Sequence, residues 1–323
     1  MKNDSACLTP DVSMLRRVTP VTMGAGMLPG LQPIAWWREY LKLQVRALAR
    51  YQSTARWLLL LNSQPLFAEL LGHCPRLMHK IYRPYLSRAV SPDARVDLIA
   101  SHYAFMHDRG LEKMVLAAAR DQCLIISVEG KSGAPYALRL RAVNPMEREG
   151  ELVLQLCADG NVIYSLAFTF SGDAAGGLGR VLNVGCLQGC NSACGVDPQD
   201  AIHAATRELH GLRPKYLLVQ LIRSLGRALG CSHLRLVGND NRVVRSAMRQ
   251  GKVSADYNLL WQELGASQRL DGDFQLACAP WCEPDLELVA SKKRAEARRK
   301  AAIMRSLNAA LVERFGGIVA QQT

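Results

Sequence analysis

The hydrophobic pattern of this 323-residue chain changes period near residue 123, which limits the folds open to it. Before that point, apolar side chains recur at the spacing of amphipathic helices, over about 36–61, 64–81 and 92–120. After it, short apolar runs and alternating segments indicate strands. These segments cover residues 123–128, 136–143, 151–157, 162–170 and 180–186. We therefore expect a helical N-terminal region followed by an antiparallel meander of four or five strands.

Local signals support this order. Asp159-Gly160-Asn161, between two of the predicted strands, is typical of a tight hairpin. Asp197 is a capping residue at the start of a further helix, and Gly211 is placed to end it. Two further helices and two further strands are predicted over about 198–210, 215–229, 233–237 and 274–278, with a short helix after Asn239. The fold class is therefore α+β, a meander with flanking helices.

These patterns divide the chain into four segments. Prolines and glycines interrupt any period in the first of them, which indicates a flexible tail. The segments are the tail (1–30), a helical region (31–122), an α+β core domain (123–285) and a basic C-terminal helix (286–323).

Composition narrows the partners. The net charge of +12 favours acidic surfaces such as anionic lipid, nucleic acid or a phosphate-bearing cofactor. Aromatic residues make up only 6% and show no basic-aromatic recognition pattern, so we expect no nucleic-acid binding. The first residues lack the apolar stretch of a signal peptide, and no run of about 20 apolar residues occurs. We expect a cytoplasmic location, with peripheral attachment to the inner membrane.

Two stretches carry the basic charge that such attachment needs. Within 36–61, Arg38, Lys42, Arg46 and Arg50 recur every four residues. Apolar side chains lie largely on the other face: Trp37, Leu41, Val45, Leu48 and Leu59. Residues 292–300 form the densest basic run, and the tail from Ser291 onward has little apolar material for a core. Either stretch fits a helix on anionic lipid, at about 1 kcal/mol per basic residue. The alternative for both is a solvated face over a packed helix.

The start of the helix after Pro214 is a candidate anion site. Free amides and the positive end of the dipole favour an anion there, and Arg213 and Lys215 add charge. The element order is also similar to the acetyltransferase (GNAT-like) fold, where acyl-CoA binds at the exit of a central strand, although its usual glycine-rich loop is absent. The predicted phosphate or acyl-CoA site comprises Gln188, Gly189, Arg213, Lys215 and Asn239.

Each part of this site has a structural alternative. Pro214 with flanking charges also describes an ordinary solvated helix start. The glycine-bounded stretch 185–189 also fits a bulge or turn, and Asn239 fits turn and capping chemistry.

Cysteine and histidine spacing gives no catalytic or metal assignment. Cys186, Cys190 and Cys194 recur every four residues but lack the paired spacing of zinc sites, so we expect free thiols and no metal. His203 and His210 are seven residues apart on one predicted helix and would share a face. Catalytic residues stay unknown.

Several strings in the second half resemble the VirK/YbjX family of bacterial proteins, a domain of unknown function. The resemblance covers roughly residues 35–300. It rests on GCLQG (185–189), AATRELHGLRPK (204–215), LRLVGN (234–239), SADY (254–257) and WQELG (261–265). It implies a role in the Gram-negative cell envelope, in virulence-factor placement and in tolerance of antimicrobial peptides. It implies no catalytic residues.

Two functions follow as hypotheses. The first is a cytoplasmic envelope-associated protein that binds a membrane surface or an envelope protein. The second is an acyl-CoA-dependent acyltransferase that modifies an envelope lipid or peptide. A deep pocket that joins the strand exit at 185–189 to Arg213 would favour the enzyme, whereas a filled surface there would favour the binding protein.

Overall fold

The computed structural model describes residues 20–172, 179–190, 197–244 and 255–317. Helices precede and follow a single sheet in these ranges. Before the sheet lie α1 (Pro33–Ala49), α2 (Tyr51–Leu61), α3 (Pro65–His73), α4 (Pro92–Asp108) and α5 (Glu112–Arg120). After its fifth strand come α6 (Pro198–Glu208), α7 (Pro214–Ala228), α8 (Tyr257–Glu263) and α9 (Ser291–Arg314). Short 3-10 helices form at Met23–Gly26, Pro75–Tyr82 and Asn239–Asn241.

The sheet confirms the predicted meander and extends it. Its strands are β1 (Cys123–Glu129), β2 (Pro135–Ala142), β3 (Leu152–Ala158), β4 (Asn161–Gly172), β5 (Arg180–Gly189), β6 (Cys231–Leu236), β7 (Ser267–Gln268) and β8 (Phe274–Ala277). The spatial order is β1-β2-β3-β4-β5-β6-β8-β7. Neighbouring strands are antiparallel except β5 and β6, which are parallel. The class is α+β.

Local chemistry explains the hairpin between β3 and β4. Ala158 pairs with Asn161, and the two residues between them have positive φ, 49° at Asp159 and 77° at Gly160. Positive φ at both positions gives a turn whose twist matches antiparallel strands. Along β3 the six residues from Leu152 to Cys157 are all buried, although alternate side chains face opposite sides. Both faces of the sheet are therefore covered.

The predicted tail packs against the helical region where it can be described. Met23 and Met27 are buried, and a Cβ at Gly26 would lie 2.7 Å from the Met78 Cβ. Residues 1–19 lie outside the described ranges. The division of the chain into four segments stays a prediction.

The C-terminal helix corrects one expectation. The stretch was predicted to have little apolar material for a core, yet Met304, Leu307 and Leu311 of α9 are buried, and so is Phe315 just beyond it. Their spacing of three and four residues places one face of the helix against the protein, where α9 contacts α7 and β1. The basic run occupies the first half of α9 and the apolar face the second half.

The helix predicted over 36–61 is interrupted at Arg50, whose φ of −134° and ψ of 48° are not helical. Thr54 Oγ1 donates to the Ala47 carbonyl at 3.1 Å, which satisfies an acceptor at the end of α1. Beyond the break, α2 buries Trp57 and Leu61. In the described part of the chain, no helix combines the length and apolarity needed to cross a bilayer.

Candidate functional site

The outward face of α1 presents large apolar side chains to solvent. We call it the α1 stripe, and its members with their exposed fractions are Ile34 (86%), Trp37 (64%), Leu41 (63%), Val45 (59%) and Leu48 (73%). At about 100° per residue these side chains fall within an arc of about 80°. A helix of a soluble protein normally turns such a stripe toward the core. Here it has no cover from the described residues.

Basic side chains border the α1 stripe on one side. Arg38 and Lys42 lie next to the stripe on the helix surface, and 68% and 48% of their side chains are exposed. Lys42 Nζ donates to Glu39 at 2.8 Å, and this hydrogen bond lowers the pKa of the Glu39 carboxyl. The opposite face anchors the helix, since Leu43 and Ala47 are buried. The sequence left open whether the apolar face packs inward, and the structure places it outside.

The two cations predicted to bind an anion at the start of α7 have different surroundings. Lys215 Nζ lies 3.9 Å from the Glu263 carboxylate of α8 and 4.7 Å from the centre of the Tyr216 ring. Arg213 is exposed and lines a cavity. Arg213 also lies beside Tyr216, whose hydroxyl donates to Glu263, but only Arg213 of the two cations lines the cavity. Anion binding by Arg213 stays a prediction.

Asn239 acts as a structural link between β6 and α8. Its side-chain amide donates to Asp256 Oδ1 at 2.7 Å, and its Oδ1 accepts the Tyr257 N–H at 2.9 Å. Asp256 in turn caps α8 through the Leu259 N–H. The polar groups of Asn239 are therefore engaged in the turn and capping chemistry that was its alternative interpretation.

Gly185 is the unpaired residue of a β-bulge in β5. Ala167 pairs with Cys186 and the next residue, Phe168, pairs with Val184, so Gly185 is passed over. A Cβ at Gly185 would lie 2.1 Å from the Glu149 carbonyl oxygen. Gly185 is therefore needed because the backbone at Glu149 approaches it closely, and not because a ligand does. This is the bulge that the sequence offered as the structural alternative.

The end of β5 holds the other two predicted site residues. Gln188 is exposed and pairs across the sheet with Ser165. Gly189 pairs with Tyr164, and a Cβ there would lie 3.0 Å from Ile202 Cδ1. Gly189 is thus crowded by neighbours from β4 and α6.

Tyr257 fills the space where β5 and β6 stop pairing. Its hydroxyl accepts the Leu187 N–H and donates to the Leu187 carbonyl, both at 2.7 Å. Burial raises the pKa of Tyr257 far above its ordinary value. In the acetyltransferase-like layout a ligand would reach the backbone at this strand exit. Here the Tyr257 hydroxyl satisfies the backbone N–H and carbonyl of Leu187.

The cavity that contains Arg213 lies elsewhere. It has a volume of about 770 Å³ and is bounded by α7, α9 and the loop 280–284. Gln188, Gly189, Lys215 and Asn239 do not line it. The cavity therefore does not join the strand exit to the helix start, as the enzyme hypothesis required.

Cysteine and histidine residues have varied surroundings in the described ranges. Cys186 is buried, and burial raises the pKa of its thiol to about 12, whereas Cys194 lies outside those ranges. No group of three or more His, Cys, Asp or Glu is placed to hold a metal within the described residues. The expectation that His203 and His210 share a helix face is wrong, because α6 ends at Glu208 and His210 has a φ of 52°.

A buried polar network was not found from the sequence. The carboxylate of Glu151 accepts Lys80 Nζ at 2.6 Å, the Tyr85 hydroxyl at 2.6 Å and the Tyr103 hydroxyl at 2.8 Å. Burial alone would raise the pKa of the Glu151 carboxyl. The Lys80 charge and the hydrogen bonds from Lys80 and Tyr85 outweigh burial, so the pKa lies below its ordinary value. Lys80, Tyr85, Tyr103 and Glu151 are all buried, and none of them lines the cavity that contains Arg213.

Comparison with known proteins places the chain in a family. A family described as "Protein of unknown function (DUF535)" matches residues 33–313. The chain belongs to this family, the VirK/YbjX family indicated by the strings above. It is 27% identical to the uncharacterized protein YbjX of Escherichia coli K12, over 85% of this chain and 83% of that protein. An uncharacterized protein of Haemophilus influenzae is 25% identical, over 56% of this chain and 58% of that protein.

The similarity of the chain to solved structures is low. A cAMP-binding acyltransferase from Mycobacterium smegmatis matches 68% of this chain and 65% of its own length, with 15% identity and a TM-score of 0.28. At this similarity the match carries no argument about fold or function.

Proposed function

We propose that this protein is a peripheral membrane-binding protein of the bacterial envelope, which attaches to an anionic membrane surface through the α1 stripe and the basic residues beside it. The exposed apolar face of α1 carries the proposal. An interfacial helix typically combines an apolar face of this kind with Lys and Arg at its border. Trp37 on α1 and Tyr51 at the start of α2, 72% exposed, supply amphipathic aromatic rings for the interface.

Charge complementarity selects an anionic lipid surface as the partner. Arg38 and Lys42 would each contribute about 1 kcal/mol near such a surface. Burial of the apolar side chains adds a term that salt does not screen. A second copy of the chain is the competing partner for the α1 stripe, but it would bring a net charge of +12 against the same charge.

The basic first half of α9 is a secondary contact in this proposal. Lys292, Lys293, Arg298 and Arg299 are exposed, so they can add electrostatic attraction. The second half of α9 is packed in the core, so removal of the whole helix would disturb the fold. Substitution of the exposed cations by Gln is therefore the suitable test of its contribution.

The experiment is co-sedimentation of the full chain with phosphatidylcholine vesicles that contain or lack phosphatidylglycerol. Binding should require the anionic lipid and should weaken only in part as the Debye length falls from about 10 Å at 0.1 M salt to about 3 Å at 1 M. Trp37→Ser with Leu41→Ser should reduce the bound fraction strongly. Leu270→Ser with Leu288→Ser is the matched control, because these leucines are 110% and 86% exposed outside the α1 stripe.

Three outcomes would overturn the assignment to α1. The first is wild-type protein that stays in the supernatant at low salt. The second is binding that persists in the Trp37→Ser, Leu41→Ser variant and disappears when the four cations of α9 are replaced by Gln. The third is a lipid-free dimer in light scattering that the same variant converts to a monomer, since the α1 stripe would then join two copies of the chain.

A further inference from the structure

We infer that the cavity between α7 and α9 binds a single-chain amphiphile with an anionic head group. This inference is independent of membrane attachment by α1, because it concerns a different part of the molecule. A volume of about 770 Å³ lies in the range of small-molecule sites, about 300–1,000 Å³. The cavity combines cationic and apolar walls, and this combination defines the class of ligand.

Three cations line the cavity: Arg213 and Arg223 from α7, and Lys300 from α9. The described residues supply no carboxylate within ion-pair distance of any of them. Arg223 Nε donates to the Ala277 carbonyl at 2.8 Å, which fixes its position. Cations beside an apolar wall, with no carboxylate among the residues that line the cavity, favour an anionic ligand.

Arg213 and Lys300 lie at the same end of the cavity. Gly211, two residues before Arg213, has a φ of 82° and no side chain, and a Cβ there would lie 3.1 Å from Lys300 Nζ. The Glu296 carboxylate borders the same glycine, at 3.3 Å from that position, but it does not line the cavity. The head group of the ligand therefore belongs at the Arg213 and Lys300 end.

The apolar wall runs away from this end. Leu217 of α7 and Met304 of α9 line the cavity, and Trp281 closes its far part. The backbone N–H of Trp281 donates to Ser224 Oγ at 3.2 Å, which fixes this part of the loop against α7. From Arg213 to Arg223 the helix rises about 15 Å. Arg223 lies at the far end, where its Nε already donates to the Ala277 carbonyl. An elongated apolar wall that begins at a pair of cations fits an acyl chain better than a compact polar metabolite.

The two helices that form the cavity run in the same direction. Gly211, just before α7, meets Lys300 in the first half of α9, and a Cβ at Gly317 beyond α9 would lie 3.4 Å from Ala228 at the end of α7. Ala297 and Ala301 of α9 line the cavity. Small side chains at these two positions of α9 give the cavity its depth.

The test uses quenching of tryptophan fluorescence by a brominated fatty acid added to the full chain below its micellar concentration. The chain has five tryptophans, and Trp281 lines the cavity. Saturable quenching that is reduced in Trp281→Phe is expected. Quenching of the same size in Trp281→Phe and the wild type would place the probe elsewhere, for example at Trp37, and would overturn the inference whether or not α1 binds membranes.

Variants of the lining residues test which side chains bind the head group of the ligand and whether the ligand needs the depth of the cavity. Arg213→Gln with Lys300→Gln should raise the half-saturating probe concentration at least tenfold, and Ala297→Phe should also weaken binding because it narrows the cavity. Arg298→Gln with Arg299→Gln is the matched control, since these cations are exposed on the same helix. Melting curves by circular dichroism establish that each variant is folded. Equal binding by the Arg213, Lys300 variant and the control would contradict the inference.

Competition identifies the source of the anion. Unlabelled fatty acid, lysophosphatidic acid and acyl-CoA present a carboxylate, a phosphate monoester and a nucleotide phosphate respectively, and displacement by one or more of them supports the inference. The strongest competitor defines the head group. Equal displacement by the uncharged fatty alcohol would show that the cations do not select the ligand and would overturn it.

Discussion

Lys80 and Glu151 form an ion pair of 2.6 Å between Nζ and Oε1, and both side chains are inaccessible to solvent. Lys80 belongs to the 3-10 helix of the N-terminal region, and Glu151 directly precedes β3. Tyr85 and Tyr103 donate to the same carboxylate, and the Thr169 hydroxyl accepts the Glu151 N–H at 3.0 Å. The N-terminal helices are thus joined to the sheet by a polar contact as well as by packing.

Removal of one partner of this pair should be costly. Lys80→Met leaves a buried carboxylate without its counter-charge, and we expect the free energy of unfolding to fall by about 3–5 kcal/mol. The double change Lys80→Met with Glu151→Gln removes the charge as well and should cost less than Lys80→Met alone. Urea denaturation of the three proteins measures both values. A loss under 1 kcal/mol for Lys80→Met would show that the pair is not buried as described.

Acid should destabilise the protein through His102. Its Nδ1 accepts the Phe170 N–H at 3.2 Å, and burial lowers the pKa of His102 from 6.5 to about 4. Between these two values the unfolded chain binds a proton that the folded protein does not, so stability falls as the pH drops through that window. The loss amounts to about 3 kcal/mol at most. The lowered pKa of Glu151 adds a further loss only at more acidic pH.

Denaturation at about pH 7 and about pH 5 measures this dependence. His102→Gln should flatten it, because the amide cannot titrate. His203→Gln, at an exposed position of α6, should leave the slope unchanged. An equal slope in the wild type and His102→Gln would contradict the prediction.

Tyr257 should stabilise the strand exit. Tyr257→Phe leaves the buried N–H and carbonyl of Leu187 without the hydroxyl, which should lower the free energy of unfolding by about 1–3 kcal/mol. Tyr51→Phe, at a 72% exposed position, should be neutral. Thermal or urea unfolding separates the two, and a neutral Tyr257→Phe would mean that water replaces the hydroxyl without loss.

Gly185→Ala should disrupt β5. The added methyl group would meet the Glu149 carbonyl, so one of two backbone segments must move, and we expect a loss of about 4 kcal/mol or more. Gly72→Ala in α3 is the matched control, since its Cβ meets no neighbouring atom within 4 Å and Ala favours helices. Soluble yield and melting temperature report the difference. A fully stable Gly185→Ala protein would show that the bulge is not obligatory.

Local patterns predicted most of the fold. The alternation along β2 and β3 and the Asp159-Gly160 turn act over a few residues, so the meander follows from them. Asp197 and Gly211 likewise mark helix ends through local hydrogen bonding and backbone freedom. The candidate site was less predictable, because Arg213 and Lys215 are two residues apart in sequence yet one lines the cavity and the other pairs with Glu263.

The sequence by itself determined most of the elements, their order and the family, because helical and strand periods, turns and caps depend on neighbours along the chain. It also determined that α1 has an apolar face. Only the tertiary structure decided that this face points outward, since a buried and an exposed apolar stripe have the same spacing of apolar residues along a helix. The tertiary structure alone also joined Lys80 to Glu151 and α7 to α9, because such contacts depend on how distant segments pack, and no local pattern records that.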